Sequence, residues 1–316
     1  MKPLRSMLIA AALAAGGAAQ AAPPINLVIP TPPGGGTDGF FRMVARAAEP
    51  HLGASIIVNN VGGAGGSIGL NRVVRSAPDG TTVAAVWTNP ITVAPHTLKV
   101  PYGLHDYTPI LELSSTPYTL CTKPQFPANT AREFLDLLKR NPDKYTYGTD
   151  GPGGLAQIAA MRVFATQGIR QRDVPYKGAG ETLLATLGNQ VDIYVGSIPP
   201  ILPHVESGQA KCFIVTQADK VALLPKAASL TDLGIPAQET VLWRALIVPN
   251  QTPQKVIDNI TQAFIKAMDA PEVQKFLKDN AEKVHIYKQA ELRQRIDAEY
   301  EAMGKIIQSL GVKGSN

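Results

Sequence analysis

The stretch "PINLVIPTPPGGGTDGFFRMV", from Pro24 to Val44, runs a short apolar segment into Gly34, Gly35 and Gly36, followed by Thr37 and Asp38. Bare backbone without Cβ atoms lets peptide N–H groups approach a ligand oxygen closely. Further glycine-rich turns lie at 62–66, 148–154 and 178–180, each between a strand-like run and a helical pattern. In an open α/β sheet such junctions fall at the carboxyl ends of the strands, where ligands bind. They also present helix N-termini, whose unpaired N–H groups and partial positive charge favour an anion. Trp87, Thr88 and Asn89 end another strand and are placed to wall such a pocket, with core packing the preferred reading for Trp87.

Other chemistries find less support. Gly34, Gly36 and Gly39 fit G-x-G-x-x-G, but the next strand ends in Asn59 and Asn60, where a dinucleotide enzyme needs an acidic residue for the ribose. That enzyme remains a remote alternative. No Gly-Lys-Ser/Thr phosphate loop and no G-x-S-x-G elbow occur. The five histidines show no metal-ligand spacing, so neither a metal nor a cofactor is expected. Asp38 and Arg42 stand four apart on a helix, which favours an internal ion pair.

The elements that must position these turns follow from hydropathy. Ile25–Ile29, 55–59 and 82–87 read as strands, and Phe41, Val44, Ala45, Ala48 and Leu52 recur at helical spacing before Gly53. The middle repeats the pattern: a helix near 130–140, strands at 145–148, near Val174, at 191–196 and at 211–216, and helices after the glycines. From Thr252 onward only helices are expected, with Thr252 as cap and Ile257, Ile260, Phe264 and Met268 as one stripe. This is an α/β pattern with largely parallel strands. The C-terminal helices must pack on the first unit, which gives a discontinuous lobe, 22–119 with 219–316, and an inserted lobe, 120–218.

Lys2 and Arg5 precede an apolar run and a small-residue site at Ala21, so residues 1–21 read as a secretory signal and the expected location is the periplasm. Loss of these two cations lowers the net charge from +5 to +3, too little to imply nucleic acid. Export permits pairing of Cys121 with Cys212, but two separate buried thiols are the preferred reading of the sequence.

"IPTPPGGGTDGFFR", "VNNVGGAGGSIG", "VPYKGAGETLLATLGNQVDIYVGSIPPILPHVESGQAK" and "LIVPNQTPQKVIDNITQAFIKAMDAPEVQKFL" together resemble the Bug family, periplasmic substrate-binding proteins of tripartite tricarboxylate transporters. The resemblance implies a two-lobed type II periplasmic binding-protein fold with a hinge and a ligand cleft. It also implies a small organic acid as ligand, a membrane permease or a sensor protein as partner, and a monomer without enzymatic activity. The matching site positions are Gly34, Gly35, Gly36, Thr37 and Asp38, with Gly65 and Gly66 nearby. In the second lobe they are Gly148, Thr149, Gly151, Gly153, Tyr176, Lys177, Gly178, Ala179 and Ser197.

This chain departs from the family at "GTDGPGGLAQI", where Asp150 adds a carboxylate and Gln157 stands where histidine is common. A negative group in a partly desolvated cleft repels a tri-anion. The expected ligand therefore carries fewer charges, or an ammonium group that pairs with Asp150 or Asp38.

Overall fold

The computed structural model describes residues 23–312. Its first half alternates β1 (Ile25–Ile29), α1 (Gly36–Leu52), β2 (Ile56–Asn60), α2 (Ser67–Val74), β3 (Thr82–Trp87) and the short α3 (Ala94–Thr97). The three strands are parallel in the order β2-β1-β3. The stripe predicted on α1 is the buried one, with Phe40, Phe41, Val44, Ala48 and Leu52 in the core. Each of the Phe, Val and Leu side chains contributes roughly 1.5–3 kcal/mol by leaving water. Gly53 ends the helix in the left-handed conformation, its N–H bonded to Glu49 O.

The chain then enters β4 (Tyr107–Thr122), sixteen residues long. The sequence does not announce this strand, because Pro109, Pro117 and a Ser-Ser pair interrupt any alternation. It is nonetheless buried almost throughout, and it bends at two register shifts. Residues 107–117 pair with β9 (Val241–Pro249), and from Tyr118 onward β4 pairs instead with β7 (Ile193–Ser197) and β8 (Lys211–Val215).

The second half comprises α4 (Ala131–Arg140), β5 (Thr146–Thr149), α5 (Leu155–Gln167), β6 (Arg172–Pro175), α6 (Ala179–Leu187), β7, α7 (Ile198–Glu206) and β8. Strands β7, β5 and β6 run parallel as neighbours. Cys121 on β4 lies opposite Cys212 on β8, and the two form a disulfide. Val221, Leu224 and Ala227 pack beside Tyr194 and Leu202, so the segment after residue 219 sits with this half until β9 begins.

After β9 come α8 (Gln254–Met268), α9 (Pro271–Asp279), β10 (Lys283–Lys288) and α10 (Gln289–Ser309). The expectation of helices alone in this region is therefore corrected. Strand β10 pairs antiparallel with β4, and its side chains are largely exposed, which removes the hydrophobic signal that marks a strand. Thr252 does not cap α8, because its hydroxyl donates to Pro249 O and Pro253 takes the cap position. Helix α10 spans both halves: Leu292 and Ile296 join the core around Trp243, whereas Met303 and Ile307 join the core around Tyr118 and Phe213.

Candidate ligand-binding site

Between the two halves lies a cavity of about 30 Å³. Thr31, Gly35, Gly36, Thr37, Trp87 and Leu242 wall it from one side. Tyr118, Asp150, Lys177, Gly178, Ala179 and Ser197 wall it from the other, with Gly196.

Two helices point their N-termini at this space. No side chain caps α1 at Gly35, and the first turn begins at the cavity wall. Gly34 turns the chain into it with φ +88° and donates its N–H to Asp38 Oδ2 at 3.0 Å. Gly36 is required by proximity: a Cβ there would lie 2.7 Å from Ser197 Oγ and 3.2 Å from Arg244 Nη2. Helix α6 likewise has no side-chain cap at Gly178. Its start meets the first loop across the cleft, where a Cβ on Gly180 would lie 3.4 Å from Gly34 O. The first N–H groups of each helix have no intrahelical acceptor, so both ends can bind an anion.

The remaining glycine turns serve packing and internal bonding. At α5 the amides are already engaged: Leu155 N–H donates to Asn89 Oδ1, Ala156 N–H to Asp150 Oδ1 and Gly153 N–H to Gln157 Oε1. Gln157 also donates to Asp173, which accepts a further bond from Thr149. Gly148 packs against Thr182, Gly151 approaches Tyr176 O, and Gly153 abuts Thr97 of the other half. Gly65 O accepts from Asn89 Nδ2, so Asn89 ties one half to the other. Gly66 makes room for the Trp87 ring, and Thr88 Oγ1 accepts from Trp243 N–H. Tyr176 is half-buried next to Lys177. None of these glycines, nor Thr88, Asn89, Thr149, Gln157 or Tyr176, lines the cavity. Gly34 and Asp38 stand just behind its wall.

Asp38 is spent internally: Oδ1 pairs with Arg42 at 2.8 Å and accepts from Asn60, while Oδ2 takes the Gly34 amide. Asp150 is different. Burial pushes its carboxyl up to about 6, against the lowering effect of the Ala156 N–H and the Tyr118 hydroxyl at 3.4 Å. Burial also raises Asp173 to about 6, with Asp150 adding to the effect. Lys177 is exposed at the rim. Among the described residues, no group of three or more His, Cys, Asp or Glu side chains converges as a metal site.

Sequence reasoning missed Thr31, Tyr118, Gly196 and Leu242, and preferred packing as the role of Trp87. Trp87 is both buried and in the wall. Tyr118 and Leu242 lie on β4 and β9, whose pairing is non-local, so no spacing in the sequence brings them together. Thr31 had a local signal, its place between β1 and the glycines.

A profile described as tripartite tricarboxylate transporter family receptor matches residues 40–312. A UPF0065 protein of Bordetella pertussis is 30% identical over 281 residues, covering 89% of this chain and 87% of that protein. The structure of the periplasmic binding protein BugD superposes with a TM-score of 0.87 at 26% identity, covering 93% of this chain and 99% of that one. MatC from Rhodopseudomonas palustris, solved with bound malate, shares the fold with a TM-score of 0.84 at 24% identity, over 90% and 99% of the two chains.

Proposed function

Because this chain belongs to the tripartite tricarboxylate transporter receptor family, whose fold is that of periplasmic binding proteins, we propose that it is a periplasmic receptor that closes two lobes on a small carboxylic acid and delivers it to a membrane permease. The observation that carries this reading is the pair of uncapped helix N-termini, α1 and α6, meeting one cavity from opposite halves. A charge-assisted hydrogen bond contributes about 1.5–3 kcal/mol. Three or four such bonds supply the roughly 8 kcal/mol of micromolar binding.

The lobes we assign are 23–117 with 241–312, and 118–240, joined at the β4 and β9 crossings and braced by α10. The change of strand partner at Tyr118 supports this division. At about 30 Å³ the cavity has room for a couple of waters, since one needs roughly 10–15 Å³. An organic acid therefore enters by the lobes parting, and contacts to both lobes then favour the closed state. A disulfide between Cys121 and Cys212 suits an oxidising compartment and so supports export. The proposed signal segment, 1–21, lies outside the described residues.

Asp150, half-buried in the cavity wall, selects against poly-anions. The ligand carries a single carboxylate, or a carboxylate together with an ammonium group that faces Asp150. MatC holds malate in the same fold, and the two chains share the architecture at an identity too low to carry over its ligand. Native mass spectrometry of the mature protein, followed by a thermal-shift panel of mono-, di- and tricarboxylates and amino acids, tests the reading. Stabilisation by monocarboxylates or amino acids is expected. Tight citrate binding with those compounds silent would refute the charge argument, and silence of the whole panel would refute carboxylate binding.

A further inference from the structure

Arg244 sits on β9 opposite Trp87 of β3. Its side chain is 0% exposed. One nitrogen, Nη1, donates to Glu282 Oε2 at 2.5 Å, an oxygen that also accepts from Ser114. Arg244 Nε and Nη2 have no hydrogen-bond partner, and neither does Glu282 Oε1. A buried pair whose purpose is structural gains most from two parallel bonds between the planar groups. Here the contact is end-on, and the open Nη2 is turned elsewhere.

Arg244 is not itself part of the cavity lining, but its open Nη2 reaches the back of the wall at Gly36. Arg244 Nη2 lies 3.2 Å from the point where a Gly36 Cβ would stand, and Ser197 Oγ lies 2.7 Å from the same point. Gly36 and Ser197 belong to opposite walls of the cavity. Leu242, two residues earlier and therefore on the same face of β9, does line the cavity. The Phe40 ring, 5.1 Å from the guanidinium, supports the cation from beneath. An uncapped helix terminus and an unsatisfied buried guanidinium thus converge on one spot.

Resting on the carboxylate-receptor reading above, we propose that Arg244 is the specificity-determining cation of this site, its open Nη2 fixing the ligand carboxylate beside Ser197 and the first turn of α1. The arrangement gives the cavity a polarity. The anion-binding end is at Arg244, α1 and Ser197, and Asp150 stands on the second-lobe wall as the counter-charge. Burial resists ionisation of Glu282, which limits how far that residue cancels the Arg244 charge. The ligand class that fits is a short acid with its carboxylate at one end and a neutral or ammonium group at the other.

The test titrates acetate, 4-aminobutyrate and succinate by calorimetry into the wild type, Glu282→Gln, Arg244→Lys and the double variant Arg244→Met with Glu282→Met, each checked for folding by its thermal melt. Removing both partners of the buried pair avoids stranding one charge. The double variant is expected to lose about ten- to hundredfold in affinity for whichever probe binds the wild type, the worth of one charge-assisted hydrogen bond. Glu282→Gln keeps the cation and is expected to bind at least as tightly as the wild type. Arg244→Lys, which keeps the charge without Nη2, is expected to lose about tenfold and reports the role if the double variant does not fold. Affinity within twofold of wild type in a folded double variant or in Arg244→Lys would overturn the assignment, as would an equal loss in Glu282→Gln. If the wild type binds no probe, the carboxylate reading itself falls and takes this assignment with it; undiminished binding in the variants removes the assignment alone.

Discussion

Replacing Asp150 by Asn tests the electrostatics of the cleft in the unliganded protein. The carboxyl is held at about 6 by burial, against an ordinary value of 3.8, so it resists ionisation in the folded state by about 2 pH units. At about 1.4 kcal/mol per unit, the ionised form destabilises the fold by about 3 kcal/mol at pH 7.5. The sign follows from the proton count. Between pH 4 and 6 the folded state holds a proton that the unfolded state has lost, so this contribution weakens stability as pH rises through that window. Asp150→Asn removes the penalty while its amide oxygen still accepts from Ala156 N–H. Urea unfolding should show the variant more stable by up to about 3 kcal/mol at pH 7.5, narrowing to about 1 kcal/mol at pH 4.5. Asp173, itself raised partly by Asp150, adds some relief in the same direction. A stability difference that does not change with pH would refute the assignment of Asp150 as a desolvated, reluctantly ionised carboxylate.

The same substitution should tighten succinate binding and weaken binding of 4-aminobutyrate, measured by calorimetry at pH 7.5. Gly36→Val should hold the lobes apart, since its Cβ falls 2.7 Å from Ser197 Oγ. Ligand binding is expected to drop at least a hundredfold, with a larger radius of gyration by X-ray scattering and a preserved far-UV spectrum. Asn89→Ala removes the bonds to Leu155 N–H and Gly65 O, so stability should fall by about 1–3 kcal/mol in urea titration. Cys121→Ser with Cys212→Ser opens a link spanning 91 residues, for which chain entropy predicts a loss of up to about 4–5 kcal/mol in the same assay.

Hydropathy and turn residues made β1, α1, β3, α5, α6 and β7 readable, because their signals lie within a few residues of one another. β4 and β10 were not readable. The first is interrupted by prolines yet buried by its partners on both sides, and the second pairs through its backbone while exposing its side chains. Cysteine pairing was also beyond the sequence, since 91 residues separate two atoms that only the β4 and β8 register brings together.

Residue order alone dictates where unpaired amides arise: a glycine turn followed by a helix yields donors at α1, α5 and α6 alike. Which of them stay free depends on the packing of distant segments. At α5, Asn89 from the other half takes the Leu155 amide, in addition to the local bonds from Asp150 and Gln157, while the first-turn amides of α1 and α6 stay uncapped at a cavity shared with Asp150 and backed by Arg244. A donor is a local property of the backbone, but whether an acceptor reaches it is settled by the chain's return from far away in sequence.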